Sequence, residues 1–211
     1  MDQPAPAKLT SHKVFARFYE LVNRGLAESS FMDPLRRESI GQAQGVVLEI
    51  GAGTGLNFSY YKPEQVERVE AIEPDEVMLR YARERLKTAH VPITLTRAAV
   101  ESLPFDNTSF DSVVATLVFC SVSDPRRSFQ EVMRVLKPGG ALLLVEHVRS
   151  EQPFTAWIQD AVVPLTKLFS GNCHWNRDTA RTVADTGFHI TFNRKIHSPL
   201  MPMIMLRATR S

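Results

Sequence analysis

A chain of 211 residues is one domain of ordinary size, and a hydrophobic share of 44% is enough to build a full core. A formal net charge of +2, with arginines in short runs such as Arg36-Arg37 and Arg126-Arg127, excludes the basic stripe of a nucleic-acid binder and leaves those runs as solvated surface. Two distant cysteines, Cys120 and Cys173, exclude a disulfide framework, the polar start Met1–Pro6 reads as no signal peptide, and no apolar run nears the roughly 18 residues of a spanning helix. The expectation is a soluble cytoplasmic protein without a transmembrane segment, peripheral contact with a membrane surface staying open.

Residues 1–10 carry no structural pattern and are expected to be disordered, ahead of a single domain over 11–211. Within it, residues 11–44 read as an N-terminal helical cap. Ser11 caps a helix with Phe15, Phe18, Val22 and Leu26 on one face, and a polar stretch with Gly41 and Gly45 follows. Val46–Ile50 is short, apolar and β-branched, as a strand buried on both faces should be. Strands are then expected at Val66–Ile72, Ile93–Arg97, Phe110–Leu117 and Ala141–Val148. Helices alternate with them: Asp75–Ala89, with Leu79, Ala82, Leu86 and Ala89 on one side, and a helix after Asp124 that carries Phe129, Val132, Met133 and Leu136. Lys137-Pro138-Gly139-Gly140 stops the latter. The alternation predicts an α/β fold, a Rossmann-like doubly wound sheet, mostly parallel, with helices on both faces and an antiparallel last strand. After Ser150 the rhythm changes to a helical insert over 150–186. It contains an apolar helix over Phe154–Phe169 interrupted by Pro164, then a short helix over Asn176–Thr186 with Asp178 in its first turn. Phe188–Asn193 and Met203–Thr209 are the final strands.

The central motif is Glu49-Ile50-Gly51-Ala52-Gly53-Thr54-Gly55, where a buried strand meets a turn. Glycines let the backbone turn sharply and approach a ligand, and open α/β sheets bind ligands at the carboxyl ends of their strands. A dinucleotide fingerprint needs G-x-G-x-x-G. Counted from Gly51, its last glycine would fall on Leu56, and a count begun at Gly53 fails as well. The G-x-G-x-G spacing instead resembles the S-adenosylmethionine (SAM) loop of class I methyltransferases. That ligand carries a sulfonium and an amino group rather than a phosphate, and a carboxylate such as Glu49 suits a cation. Glu73 ends the second strand about 20 residues past the loop, where an acidic residue binds ribose hydroxyls.

Three segments are similar to signatures of the methyltransferase-11 group of class I methyltransferases: Leu48–Gly55, Ala99-Val100-Glu101-Ser102-Leu103-Pro104-Phe105 and Leu136–Gly140. Further segments resemble the methyltransferase-like seven family of thiol S-methyltransferases: Thr116–Val122, Glu146-His147-Val148, Leu168–Cys173 and Arg177-Asp178-Thr179. The chain departs from that family by placing Asn172 between Gly171 and Cys173. It also has no counterpart in Met1–Pro6 to the apolar anchor of the membrane-bound members. The resemblance implies SAM as cofactor. Gly51, Gly53 and Gly55 would hold its methionine part, together with Glu49 and Asn57, and Glu73 its ribose. Pro74, Met78, Val100 and Glu101 would border the adenine, and Leu117 and Cys120 would close the pocket. Tyr19 would reach the cofactor carboxylate or serve as an aromatic on a helix face.

Methyl transfer from a sulfonium is an in-line displacement, so alignment of nucleophile, methyl and sulfur dominates and a base is optional. Glu146 and His147, at the end of the fifth strand, and His174, beside Trp175, are the candidate bases; each also has an ordinary structural role open to it. Cys120 and Cys173 read as small buried hydrophobes, and ligand spacing gives no support for a metal. The predicted reaction is SAM-dependent methylation of a small, fairly apolar acceptor. A thiol leads; a phenolic or quinone-type O- or C-acceptor and a phospholipid amine follow. The apolar helix after Ser150 is expected to pack on the sheet, to cover the acceptor, or both. An NAD-dependent oxidoreductase is disfavoured by Leu56, and a non-catalytic module by the intact loop.

Overall fold

The computed structural model describes residues 26–166, 172–198 and 201–211. The helix expected from Ser11, with Tyr19, lies outside the described residues, as do Leu168 and Phe169. Seven strands form one sheet: β1 Gly45–Ile50, β2 Val66–Ile72, β3 Ile93–Thr96, β4 Phe110–Thr116, β5 Leu136–His147, β6 Phe188–Ile196 and β7 Met203–Arg210. Their order is β3-β2-β1-β4-β5-β7-β6. The pairs β1–β2, β1–β4, β2–β3 and β4–β5 are parallel, while β7 runs antiparallel to β5 and β6. The expected doubly wound sheet with an antiparallel last strand is therefore present, with β7 inserted between β5 and β6.

The helices are α1 Leu26–Ile40, α2 Glu76–Arg85, α3 Pro125–Val135, α4 Pro153–Thr166 and α5 Thr179–Asp185. Short polar side chains start three of them. Asp75 accepts from the amides of Val77 and Met78, Asp124 from Arg127, and Asp178 from Arg181. Asp178 thus precedes its helix instead of standing in the first turn. The helix after Asp124 ends at Val135, and the strand begins at Leu136, five residues earlier than its sequence suggests.

Alternation along the strands divides the core. Leu48 and Ile50 of β1 pack with Val113, Phe129, Leu142 and Leu144 on one side; Val47 packs with Phe58, Tyr61, Val69 and Leu143 on the other. Phe119 stacks on Phe129 at 4.0 Å between ring centroids, and Phe188 meets Phe129 edge-on at 6.4 Å. Phe129→Ala is expected to cost about 3–5 kcal/mol, read as a lower urea midpoint with an unchanged slope.

The polar stretch before Gly41, part of the segment read as a helical cap, is helix α1. Met32, Leu35, Arg36, Ser39 and Ile40 form its buried face, and Met32 and Leu35 pack on Val145, Met203 and Met205. The apolar stripe of α4 does not turn inward as a whole. Ala156, Gln159 and Val163 are buried, whereas Phe154 is 72% and Trp157 66% exposed. Gln159 docks the helix: its Oε1 accepts from the Ser150 amide at 2.7 Å, and its Nε2 donates to Val148 and Trp175 carbonyls. No helix among the described residues is long and apolar enough to cross a membrane.

Candidate active site

The carboxyl ends of β1, β2 and β4 meet at the glycine loop. Gly51 adopts a φ of +63°, a conformation costly for any residue with a Cβ, and an added Cβ would lie 2.6 Å from Val118 Cγ2. At Gly53, φ +56°, an added Cβ would come no nearer to any atom of the described residues beyond its chain neighbours than 3.9 Å, from the Gly51 oxygen. The third glycine, Gly55, closes the turn by donating to the Ala52 carbonyl. The loop is fastened to β2 by Glu73, which accepts from the Gly53 amide through Oε2 and from the Asp75 amide through Oε1, each at 2.9 Å. A carboxylate oxygen has a second lone pair, so this anchoring leaves acceptor capacity for a ribose hydroxyl. Burial raises the Glu73 carboxyl to about 7, against the two amides that favour its charged form.

Glu49 is fully buried on the Val47 side of β1. Its Oε2 accepts from the Tyr61 hydroxyl at 2.8 Å, and among the described residues its Oε1 accepts no hydrogen bond. Burial raises its carboxyl to about 7, opposed by the Tyr61 hydroxyl, the Asn57 amide and the Arg36 charge. An unsatisfied buried carboxylate oxygen beneath a glycine turn fits the amino group of a cationic ligand. This is the feature of the structure that fits SAM.

Sequence reasoning missed Arg36. It is only 5% exposed, and its Nε donates to Asn57 Oδ1 at 3.2 Å, while Asn57 Nδ2 reaches Thr116 Oγ1 at 3.3 Å. Helix α1, the loop and the end of β4 are thereby tied together. The signal was the helical spacing of Met32, Leu35, Ser39 and Ile40, hidden because Arg36 and Ser39 interrupt its apolar character.

On the expected adenine side, Met78 and Val100 are buried and Pro74 is half-buried, its carbonyl accepting from Arg97 Nε at 3.1 Å. Glu101 Oε1 accepts from the Ser123 amide at 3.0 Å, so this carboxylate also latches the loop after β4. Leu117 leaves β4 at φ +59°, a strained value for a branched side chain, held by its amide bond to the Val145 carbonyl.

At the ends of β4 and β5 lie the three candidate bases, two of them with their polar atoms engaged by the protein. Glu146 is fully buried, with Oε1 accepting from the amides of Val118 and Phe119 and Oε2 from that of Cys120. It positions the turn after β4 and does not stand open to an acceptor; burial raises it to about 7. His174 donates its amide to the Cys120 carbonyl at 2.7 Å, and its Nδ1 lies 3.1 Å from Arg177 Nη2, so its ring is held by an arginine. His147 is half-buried, with Nδ1 4.0 Å from Cys173 Sγ. Cys173 is drawn down to about 5 by the Cys120 thiol and His147, and Cys120 is pushed up by Cys173 and by burial. Asn172, the departure noted in sequence, adopts φ +67° and donates to the Ser121 carbonyl at 3.0 Å. Asparagine tolerates that conformation well.

Residues 48–144 match the methyltransferase-11 family, described as a methyltransferase domain. Thiol S-methyltransferase TMT1B of Rattus norvegicus is 34% identical over 146 residues, 67% of this chain and 59% of that protein. The Homo sapiens TMT1B is 31% identical over 171 residues, 74% of this chain and 68% of that protein. Phosphatidylethanolamine N-methyltransferase of Cereibacter sphaeroides is 30% identical over 158 residues, 72% and 75% of the two chains. The chain therefore spans about three-fifths to three-quarters of the length of these relatives. Among solved structures, a SAM-dependent methyltransferase from Thermotoga maritima shares the fold with a TM-score of 0.66 at 22% identity, over 94% of this chain and 98% of that one. With the glycine turn, its buried acid and the matching domain in agreement, the chain belongs to the class I SAM-dependent methyltransferases, in the methyltransferase-11 group.

Proposed function

We propose that the chain transfers the methyl group of SAM to the sulfur of a small, fairly apolar thiol. The observation that carries this reading is the chemistry at the ends of β4 and β5. Glu146 has its oxygens committed to backbone amides, and the side chains that converge there are Cys120, His147 and Cys173. Such a site suits an acceptor that needs little help to ionise. A thiol, with a pKa of about 8.5, is already a few per cent thiolate at neutral pH. Similarity to proteins named thiol S-methyltransferases supports the same reading.

In this reading Glu49 receives the amino group of SAM, the Gly51–Gly55 turn its methionine part and Glu73 its ribose. Pro74, Met78 and Val100 border the adenine. SAM supplies an activated methyl group. The chain's own work is to align it with the incoming sulfur and to exclude water. The helices of 150–186 are assigned to cover the acceptor.

A labelled-SAM assay over matched thiols, phenols and amines tests the acceptor. Thiols should be methylated fastest; the reading fails if a phenol or amine of the same size outperforms every thiol. An amine is the second reading, favoured by the similarity to phosphatidylethanolamine N-methyltransferase.

A pH dependence follows from Glu49. In the ligand-free chain it holds a proton below about 7, and a cationic ligand needs it ionised. SAM affinity should therefore fall by about tenfold per pH unit below 7 and level off above it. Folding stability should run the other way. A carboxyl raised from 4.5 contributes stability fully present below its unfolded value and lost as pH rises through about 7. Calorimetric titration and thermal melts across that range measure the two opposite slopes.

A further inference from the structure

Cys120 lies on the turn leaving β4, His147 is the last residue of β5, and Cys173 lies between α4 and α5. One ligand atom from each comes within 4.8 Å of the other two. Cys120 is buried, the other two are half-buried, and both cysteines are free thiols. Their backbones are held from several sides. Glu146 accepts from the Cys120 amide, His174 donates to the Cys120 carbonyl, and Asn172 is bonded to Ser121.

Two sulfurs and an imidazole are a borderline-soft donor set that suits zinc and not magnesium or calcium, which take oxygen. Zinc–sulfur and zinc–nitrogen bonds of about 2.3 and 2.0–2.1 Å bring tetrahedral ligands to roughly 3.5 Å from one another, a modest contraction of the spacing seen. Two thiolates also balance the charge of a divalent ion. Three protein ligands leave one position open, the arrangement of a catalytic rather than a structural zinc. The trio stands at the carboxyl ends of β4 and β5, and β4 is the neighbour of β1, whose end carries the glycine turn.

We propose that Cys120, His147 and Cys173 form a zinc site whose fourth position takes the sulfur of the acceptor. This rests on the thiol reading above. On coordination the acceptor thiol releases its proton to solvent. The metal-held sulfur then forms the new S–CH3 bond as the bond from the methyl carbon to the sulfonium breaks. That electron pair remains on the sulfur of S-adenosylhomocysteine. The product thioether is neutral, a poorer ligand than a thiolate, and leaves the fourth position open again.

The test uses the full chain, reduced with a phosphine, stripped with a chelator and titrated with cobalt(II) as an optical stand-in for zinc. One cobalt per chain should bind, with a thiolate-to-cobalt charge-transfer band and the visible bands of tetrahedral geometry. Zinc should displace it. The thiolate band should weaken in Cys173→Ser and Cys120→Ser, and the visible bands should change in His147→Gln. Cys173, half-buried, keeps the test decisive if the Cys120 variant fails to fold. Adding benzenethiol should intensify the charge-transfer band. Absence of that band, or its survival unchanged in Cys173→Ser, overturns the site; a spectrum indifferent to benzenethiol overturns its role toward the acceptor. Labelled-SAM turnover separates the two readings. Zinc-replete chain should methylate benzenethiol at least an order of magnitude faster than stripped chain. Equal rates overturn the metal's role while upholding the thiol acceptor, and no thiol turnover in either state overturns the acceptor reading on which that role depends.

Discussion

Glu49→Gln is expected to weaken SAM binding by about 10–100-fold while leaving the ligand-free chain as stable as before or more so. The two effects have one cause. Glutamine keeps the shape of the side chain and an oxygen for the Tyr61 hydroxyl, which now lies 2.8 Å from Glu49 Oε2. It removes a negative charge that burial penalises and that a cationic ligand would satisfy at Oε1. A hydrogen bond to a charged group contributes about 1.5–3 kcal/mol, which sets the size of the loss. The variant should also lose the steep fall of affinity below pH 7. Isothermal titration and thermal melts measure the pair of effects, and a variant that loses stability and keeps affinity would count Glu49 as merely structural.

Gly51→Ala should act first on the fold. A left-handed backbone costs alanine about 1–2 kcal/mol, and the new Cβ would meet Val118 Cγ2 at 2.6 Å. Val118 has little room to yield, since its amide is held by Glu146 Oε1 at 2.7 Å. Strain and overpacking together are expected to cost about 2–4 kcal/mol. Gly53→Ala is the contrast. It shares the positive φ, but its Cβ would enter the open side of the turn. It should cost about 1–2 kcal/mol from backbone strain alone, and it should lose SAM binding because the methyl group occupies the ligand's approach. Denaturation midpoints set beside SAM affinity separate the two glycines.

Strand and helix alternation made the sheet legible in sequence, because strands buried on both faces read as short apolar runs such as Val46–Ile50. The glycine turn was legible for a related reason: its residue types serve backbone conformations that other residues avoid. The buried face of helix α1 was not, since Arg36 and Ser39 lie on it and break the apolar period. The orientation of α4 was not either. Its apolar residues run round a broad stripe, and the side that turns inward holds the polar Gln159, bonded to Ser150, Val148 and Trp175, beside Ala156 and Val163.

The candidate site divides along the same line. Residues of the glycine turn are neighbours in sequence, so their shared task shows in their spacing. Cys120, His147 and Cys173 come from three separate segments and meet only through the adjacency of β4 and β5 and the return of the chain after α4. Glu146 illustrates the converse. Its place at a strand end suggested a base, yet three backbone amides close around it and make it the support of the turn that carries Cys120.

Binding of SAM by the glycine turn and its buried carboxylate is the claim on which the rest depends. Isothermal titration of the reduced chain near pH 8 with SAM tests it most directly. The expected result is saturable binding of one SAM per chain, weakening as the pH is lowered through 7 and reduced in Glu49→Gln. No heat of binding at millimolar SAM, or an affinity indifferent to both pH and the charge at Glu49, would contradict it.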